Sequence, residues 1–112
     1  MSEKANASLP ENISKHSISK NEIVLPLSQA LLAIDHFESC GVLVLGWEGW
    51  VKDIEGRIGH ASAPQGTTSL ENYSVNEAAE FCRKTMLKDS ELWHKQNSGS
   101  TDALYFCVTI GN

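Results

Sequence analysis

The eight residues from Ala103 to Ile110 carry no charge on either of the two faces that a β-strand would present. One face would hold Leu104, Phe106, Val108 and Ile110, and the other Ala103, Tyr105, Cys107 and Thr109. A strand without a polar face is normally covered on both sides within a sheet. The run therefore predicts an interior strand, around which a chain of 112 residues forms one domain.

Two amphipathic helices are predicted upstream of this strand. The first covers about Leu27–Ser39, because apolar residues recur there at helical spacing, with Pro26 at the start and Gly41 just after the end. The second begins with the capping box Ser74-Val75-Asn76-Glu77 and continues to about Gln96. Each helix has one apolar stripe, which favours packing against a sheet.

A β-hairpin is predicted between the helices, with strands at residues 42–52 and 57–61 around a turn at 53–56. Counting outward from the turn gives two facing pairs, Val51 with Ile58 and Trp50 with Gly59. Alternation then places Leu43, Leu45, Trp47 and Val51 on one face, and Val42, Val44, Glu48 and Trp50 on the other. A bulge near Gly46 or Gly49 would shift this assignment.

These elements predict an α+β fold, with two helices packed on a small, largely antiparallel sheet in the order helix, hairpin, helix, strand. Residues 1–20 are rich in Ser, Asn and Lys, and they predict a flexible or loosely docked polar tail. Their apolar surface is too small to offset the entropy of ordering. Residues 21–112 are expected to form a single α+β domain, with a candidate short edge strand at residues 67–70.

The formal net charge of the chain is −5. Nucleic acids and anionic membrane surfaces are recognised by clustered Lys and Arg, so neither is an expected partner. A basic protein is the complement of this charge. No apolar run reaches the roughly 20 residues that span a bilayer. The first 15 residues also lack the apolar segment of a secretory signal, and a cytoplasmic protein is therefore predicted.

No residue pattern in the chain selects a reaction or a cofactor. The three cysteines are Cys40, Cys82 and Cys107, whose wide spacing predicts reduced thiols without a disulfide or zinc site. The four histidines have no H-x-x-x-H spacing, so no metal site is predicted. A catalytic Cys–His pair stays open in principle, with partners from His36, His60 and His94. We predict no catalytic residue, no metal and no cofactor.

Negative charge concentrates in the first helix and the hairpin. Residues 21–60 hold six acids against two bases, which is −4 of the total of −5. In the same hairpin, alternation predicts Trp47 in the core and leaves Trp50 as a candidate interface anchor. Acids around an exposed aromatic suit a basic partner, although they also serve solubility alone. The predicted binding residues are Asp35, Glu38, Glu48, Trp50, Asp53 and Glu55.

Three stretches and one helix form a pattern: Gly46-Trp47-Glu48-Gly49-Trp50-Val51, Asp53-Ile54-Glu55-Gly56-Arg57-Ile58-Gly59-His60, Gln65-Gly66-Thr67, and the capped helix at residues 74–88. The pattern resembles small bacterial immunity proteins, which neutralise the toxin domains of polymorphic and contact-dependent inhibition systems. The similarity covers about residues 41–110. It implies a cytoplasmic inhibitor of one toxin domain, usually a nuclease and here expected to be an RNase A-like ribonuclease. The resemblance transfers no catalytic residue.

The leading hypothesis is an immunity protein that forms a tight one-to-one complex with a basic toxin domain. One alternative is a small cytosolic protein-binding adaptor without a toxin partner. Another is a small hydrolase that uses a cysteine or paired carboxylates. A toxin gene next to the gene of this protein would favour the first hypothesis, and hydrolysis above the buffer rate would favour the last.

Overall fold

The computed structural model describes residues 9–60 and 62–111. In chain order its elements are α1 (Glu11–Ser14), β1 (Ile23–Leu25), α2 (Leu27–Ser39), β2 (Val44–Lys52), β3 (Ile58–Gly59), α3 (Val75–Gln96) and β4 (Ala103–Ile110). The four strands form one antiparallel sheet in the order β1-β4-β2-β3. The predicted α+β class is confirmed, and the short elements α1 and β1 precede the predicted order of helix, hairpin, helix, strand.

Strand β4 lies inside the sheet, as its two uncharged faces predict. It pairs with β1 through Ile23 and Val108, and with β2 along its whole length from Ala103 to Ile110. Leu104, Phe106 and Val108 are buried in the core between the sheet and the two long helices. We call this helix-covered side the inner face of the sheet and the opposite side the outer face.

Local signals set the ends of both long helices. Gly41 takes a φ of +72° just after α2, where a left-handed residue ends the helix. At the start of α3 the Ser74 hydroxyl accepts a hydrogen bond from the Glu77 N–H at 3.1 Å. The Glu77 carboxylate accepts one from the Ser74 N–H, also at 3.1 Å, which completes the predicted capping box.

The hairpin register differs from the predicted one by one residue. Val51 pairs with Gly59 and Lys52 pairs with Ile58. The turn contains one more residue than predicted. The Asp53 N–H donates to the Arg57 carbonyl at 2.9 Å, and the three residues between them form the turn. Gly56, with a φ of +88°, is the last of these three and forms a bulge. The return strand is also shorter than predicted and ends at Gly59.

A bulge in β2 corrects the predicted alternation at its start. Val44 pairs with Ile110 and Gly46 with Thr109, so Leu45 is the extra residue. Val44 therefore lies in the core with Trp47, whereas the prediction had placed Leu45 on that side. Beyond the bulge the alternation is as predicted. Trp47 and Val51 are buried on the inner face, and Glu48 and Trp50 lie on the outer face.

The far edge of β2 is covered by an irregular segment rather than by a long strand. The Gly49 N–H donates to the Pro64 carbonyl at 2.9 Å, and the Trp47 N–H donates to the Thr67 carbonyl at 2.8 Å. Further along, the Leu70 N–H donates to the Leu45 carbonyl at 3.1 Å. The edge strand predicted at residues 67–70 is reduced to one bridge between Trp47 and Thr67.

The N-terminal segment enters the core from residue 9. Leu9 and Ile13 are buried at 5% and 6% exposure, and both belong to the main core cluster. The Val24 N–H donates to the Ser17 hydroxyl at 3.0 Å, which ties this segment to β1. The domain boundary predicted at residue 20 therefore lies inside the packed region. Residues 1–8 of the predicted tail lie outside the described residues.

Candidate protein-binding site

The outer face of the sheet holds a cross-strand row of side chains. Cys107 on β4 lies between Val24 on β1 and Glu48 on β2. In the next row, Trp50 on β2 pairs with Tyr105 on β4. Val24 and Cys107 are buried, whereas Glu48 is exposed and the two aromatic residues are half-buried. The accessible part of the outer face therefore includes Glu48 and Trp50 on β2, together with the exposed Ala103 and Thr109 near the ends of β4.

Trp50 is the centre of a small cluster on that part of the face. Its indole Nε1–H donates to Glu48 Oε1 at 3.3 Å. Its ring meets the His60 ring edge-on, with centroids 5.4 Å apart and an interplanar angle of 81°. His60 Nδ1 lies 3.3 Å from the Gly49 carbonyl oxygen. Since a carbonyl only accepts, this contact assigns the proton to Nδ1 and leaves Nε2 as the free ring nitrogen.

An open groove of about 550 Å³ lies beside this cluster. Its walls are Glu48, Gly49 and His60 on one side and residues 62–65 on the other. A second groove of about 330 Å³ lies on the other side of the same loop, against Asp89 and the C-terminal half of α3. Residues 62–65 therefore separate two concave surfaces.

Two carboxylates, Glu22 and Glu48, lie at the outer face, and alternation along β2 places Lys52 on the same face. The Cys107 thiol donates to Glu22 Oε2 at 3.1 Å. Burial raises the pKa of Cys107, and the hydrogen bond to Glu22 and the charges of Glu22 and Glu48 raise it further. Within the described residues, no Lys, Arg or His forms an ion pair with Glu48. Among the residues that the structure describes, its charge is therefore not compensated by a contact with a cation.

Asp35 and Glu38 are differently placed, because both pair with one arginine of α3. Arg83 Nη1 donates to Glu38 Oε1 at 2.8 Å and to Asp35 Oδ1 at 3.0 Å. The Glu38 hydrogen bond is the main reason that the pKa of Arg83 is raised. This cluster joins α2 to α3 on the helical side of the sheet, away from Glu48.

Asp53 and Glu55 form ion pairs within the hairpin tip itself. Asp53 Oδ1 accepts from the Glu55 and Arg57 N–H groups at 2.9 Å each. The Arg57 side chain pairs with Asp53 at 2.8 Å and with Glu55 at 2.6 Å. The six predicted binding residues thus fall into three groups, and only Glu48 and Trp50 share the outer face. Arg57 and Arg83 neutralise part of the charge of the other four.

One cysteine lies near a histidine. Cys40 Sγ is 3.7 Å from His36 Nε2 at the exposed C-terminal end of α2. Cys82 is buried in the core, and burial raises its pKa to about 11. The described cysteines are all free, and no group of three potential metal ligands occurs in the described part of the chain.

Sequence reasoning missed the residues that shape the groove. His60 was interpreted as a possible partner of a cysteine and as part of the immunity-protein pattern, and residues 62–72 are a polar stretch with no predicted role in a site. The sequence offered one indication of this contact, namely Pro64 together with Gly49 and Gly66, two glycines that allow close approach of the backbone. A Cβ on Gly49 would lie 2.7 Å from the Pro64 carbonyl oxygen, and one on Gly66 would overlap the Trp47 carbonyl. Glycines of the pattern that suggested an immunity protein therefore have an architectural role at this contact.

Comparison with protein-family models, curated proteins and solved structures gives no match to the chain. No helix in residues 9–60 or 62–111 is both long enough and apolar enough to cross a membrane.

Proposed function

We propose that this chain is an immunity protein that binds a cationic toxin domain through the outer face of its sheet and thereby neutralises it. The observation that supports this most is the exposed carboxylate of Glu48, which has a half-buried tryptophan beside it and no cation paired with it among the described residues. Tryptophan is a preferred anchor of protein interfaces. An uncompensated acid beside it steers a basic partner to the same place.

The toxin class in this proposal is a nuclease, with a ribonuclease preferred. An enzyme that binds RNA has to present positive charge to the phosphates. A protein with a net charge of −5 complements such a surface. The inhibitor would act in the bacterial cytoplasm as a one-to-one complex that covers the nucleic-acid-binding surface of the toxin.

Co-purification with the toxin domain encoded next to the gene is the first test. We expect a one-to-one complex by size-exclusion chromatography with light scattering. We also expect one equivalent of the protein to stop RNA cleavage by the toxin. Association should slow as salt rises from about 50 to 500 mM, because screening shortens the range of steering.

A matched pair of charge reversals locates the binding surface. Glu48→Lys changes the outer face, and Glu80→Lys makes the same change on the exposed side of α3. Only Glu48→Lys should slow association and weaken protection. Toxin cleavage that continues with excess wild-type protein would refute the proposed function. Equal protection by both variants would refute the outer face as the binding surface.

A hydrolase is the second candidate, because Cys40 and His36 are in contact. A hydrolase screen of wild type, Cys40→Ser and Glu48→Gln compares the thiol and carboxylate routes. Turnover that disappears in Cys40→Ser would favour this candidate over the inhibitor. Turnover no faster than the buffer rate would exclude it for the substrates tested. An adaptor role would be favoured if the chain binds a protein that has no toxic activity.

A further inference from the structure

We infer that the groove between Glu48, His60 and residues 62–65 receives an arginine side chain of the partner. The inference rests on the proposed function, because it names the group that a cationic toxin would present. The groove is about 550 Å³, which is ample for one guanidinium and its methylene stem. Three features of the groove and of the residues beside it select this group.

The first feature is the pair of hydrogen-bond acceptors. The Trp50 Nε1–H donates a hydrogen bond to Glu48 Oε1 at 3.3 Å. This bond orients the carboxylate and leaves Glu48 Oε2 to accept from another donor. His60 Nδ1 donates to the Gly49 carbonyl, so Nε2 is the ring nitrogen that serves as an acceptor. A guanidinium offers five N–H donors in one plane and satisfies two acceptors at once.

The second feature is the aromatic side chain beside the carboxylate. The Trp50 ring lies beside the groove rather than in its lining, contacts His60 from the lining, and remains half-exposed. Guanidinium groups stack on tryptophan rings, and they lose less hydration than an ammonium group when they do so. Arginine is therefore favoured over lysine, which offers a compact charge without a planar surface.

The third feature is the rigidity of the walls. Glu48 and Trp50 are on β2, which pairs with β4 on one edge. The opposite wall is fixed by the hydrogen bond from the Gly49 N–H to the Pro64 carbonyl at 2.9 Å. A site whose walls are already in place loses little conformational entropy on binding.

The test uses hexa-arginine and hexa-lysine peptides with the ¹⁵N-labelled full chain at low salt. Hexa-arginine should shift the resonances of Glu48, His60 and the Trp50 indole N–H, and it should bind at least about fivefold tighter than hexa-lysine. Glu48→Gln should weaken hexa-arginine binding about tenfold, because it removes a charge-assisted hydrogen bond. Glu80→Gln, which makes the same charge change on α3, should weaken it about twofold or less.

Three results would overturn the inference. They are equal affinity for the two peptides, equal weakening by Glu48→Gln and Glu80→Gln, or chemical shift changes that miss the groove. Peptide binding is measured without the toxin. A negative result with the peptides therefore tests arginine capture in the groove and leaves the proposed function to the toxin experiments. If the toxin is neutralised but wild type and Glu48→Gln bind it equally tightly, inhibition of a toxin stands, whereas the Glu48 carboxylate as its anchor and arginine capture in this groove are excluded.

Discussion

Gly66 lies directly against the backbone of Trp47, so closely that a methyl group on Gly66 would overlap the Trp47 carbonyl oxygen. The approach allows the Thr67 N–H to donate to that carbonyl at 3.0 Å while the Trp47 N–H donates back to Thr67 at 2.8 Å. Gly66 also has a φ of +78°, which side chains other than glycine rarely adopt. Two independent constraints therefore require glycine at this position.

Replacement of Gly66 should be much more costly than replacement of a glycine with free space around it. Gly56 has a similar φ of +88° and nothing near its missing Cβ, so Gly56→Ala measures the backbone cost alone. We expect about 1–2 kcal/mol for Gly56→Ala and about 2–5 kcal/mol for Gly66→Ala, where steric overlap is added. Urea unfolding measures both. Equal losses would mean that the loop moves away from β2 at little cost.

The hydroxyl group of Thr85, on α3, should contribute to the stability of the fold. Trp47 Nε1 donates to Thr85 Oγ1 at 2.8 Å, where Trp47 is 1% exposed and Thr85 is half-buried. Thr85→Val keeps the shape and removes the acceptor, so we expect a loss of about 1–3 kcal/mol in the free energy of unfolding. Thr85→Ser keeps the hydroxyl and should lose less than Thr85→Val. The reverse order in chemical denaturation would contradict the importance of this hydrogen bond.

The three thiols should differ sharply in reactivity. Cys40 is exposed, whereas Cys82 and Cys107 are buried and have raised pKa values, to about 11 for Cys82. Because the thiolate is the reactive form, Ellman's reagent at pH 8 should titrate one thiol in the native protein and three after denaturation. Cys40→Ser should abolish the fast reaction. A second fast thiol in native Cys40→Ser would show that the core opens readily.

Asp53 should titrate below its ordinary range. The Arg57 N–H hydrogen bond lowers the pKa of Asp53 most, and the Arg57 side chain lowers it further, against a smaller opposing effect of burial. A lowered pKa means that Asp53 stabilises the fold above the unfolded value of 3.8, and that this contribution is lost as pH falls through the folded value. Carboxyl ¹³C shifts during acid titration measure this directly.

Arg57→Ala tests which contact dominates. The substitution keeps the backbone N–H and removes the guanidinium, so the pKa of Asp53 should rise only part of the way to 3.8. Full return to 3.8 would show that the side chain, rather than the backbone of Arg57, is responsible. A rearranged turn would be recognised from the loss of the Gly56 to Asp53 hydrogen bond.

The sequence predicts best the elements whose ends are set locally. The bounds of α2 and β4 agree with prediction, and α3 begins at its capping box, because proline, glycine and capping residues act within one turn of the chain. The hairpin register was wrong, because the number of residues in the turn depends on a bulge at Gly56. The bulge at Leu45 depends on a contact with residues more than twenty positions away.

The candidate site was predictable only in part. Alternation along β2 places Glu48 and Trp50 on the same face, and the structure agrees. Sequence charge alone suggested one acidic surface, yet Arg83 reaches Asp35 and Glu38 from 48 and 45 residues away. Such pairing is set by how α2 and α3 pack, which no local pattern encodes. The groove was missed for the same reason, since Pro64 meets Gly49 only in the folded chain.

The irregular segment along β2 limits the ways in which another chain can bind to the sheet. Over the described residues, β2 and β4 are both interior strands, β3 has two residues, and β1 has three. Even the outer edge of β1 is occupied, because Val24 bonds through its N–H to Ser17 and through its carbonyl to Ile18. In residues 9–60 and 62–111, an incoming chain therefore finds no long row of free backbone groups on which to extend the sheet. Recognition is left to side chains, and fibril growth by strand addition has no template along the two longest strands.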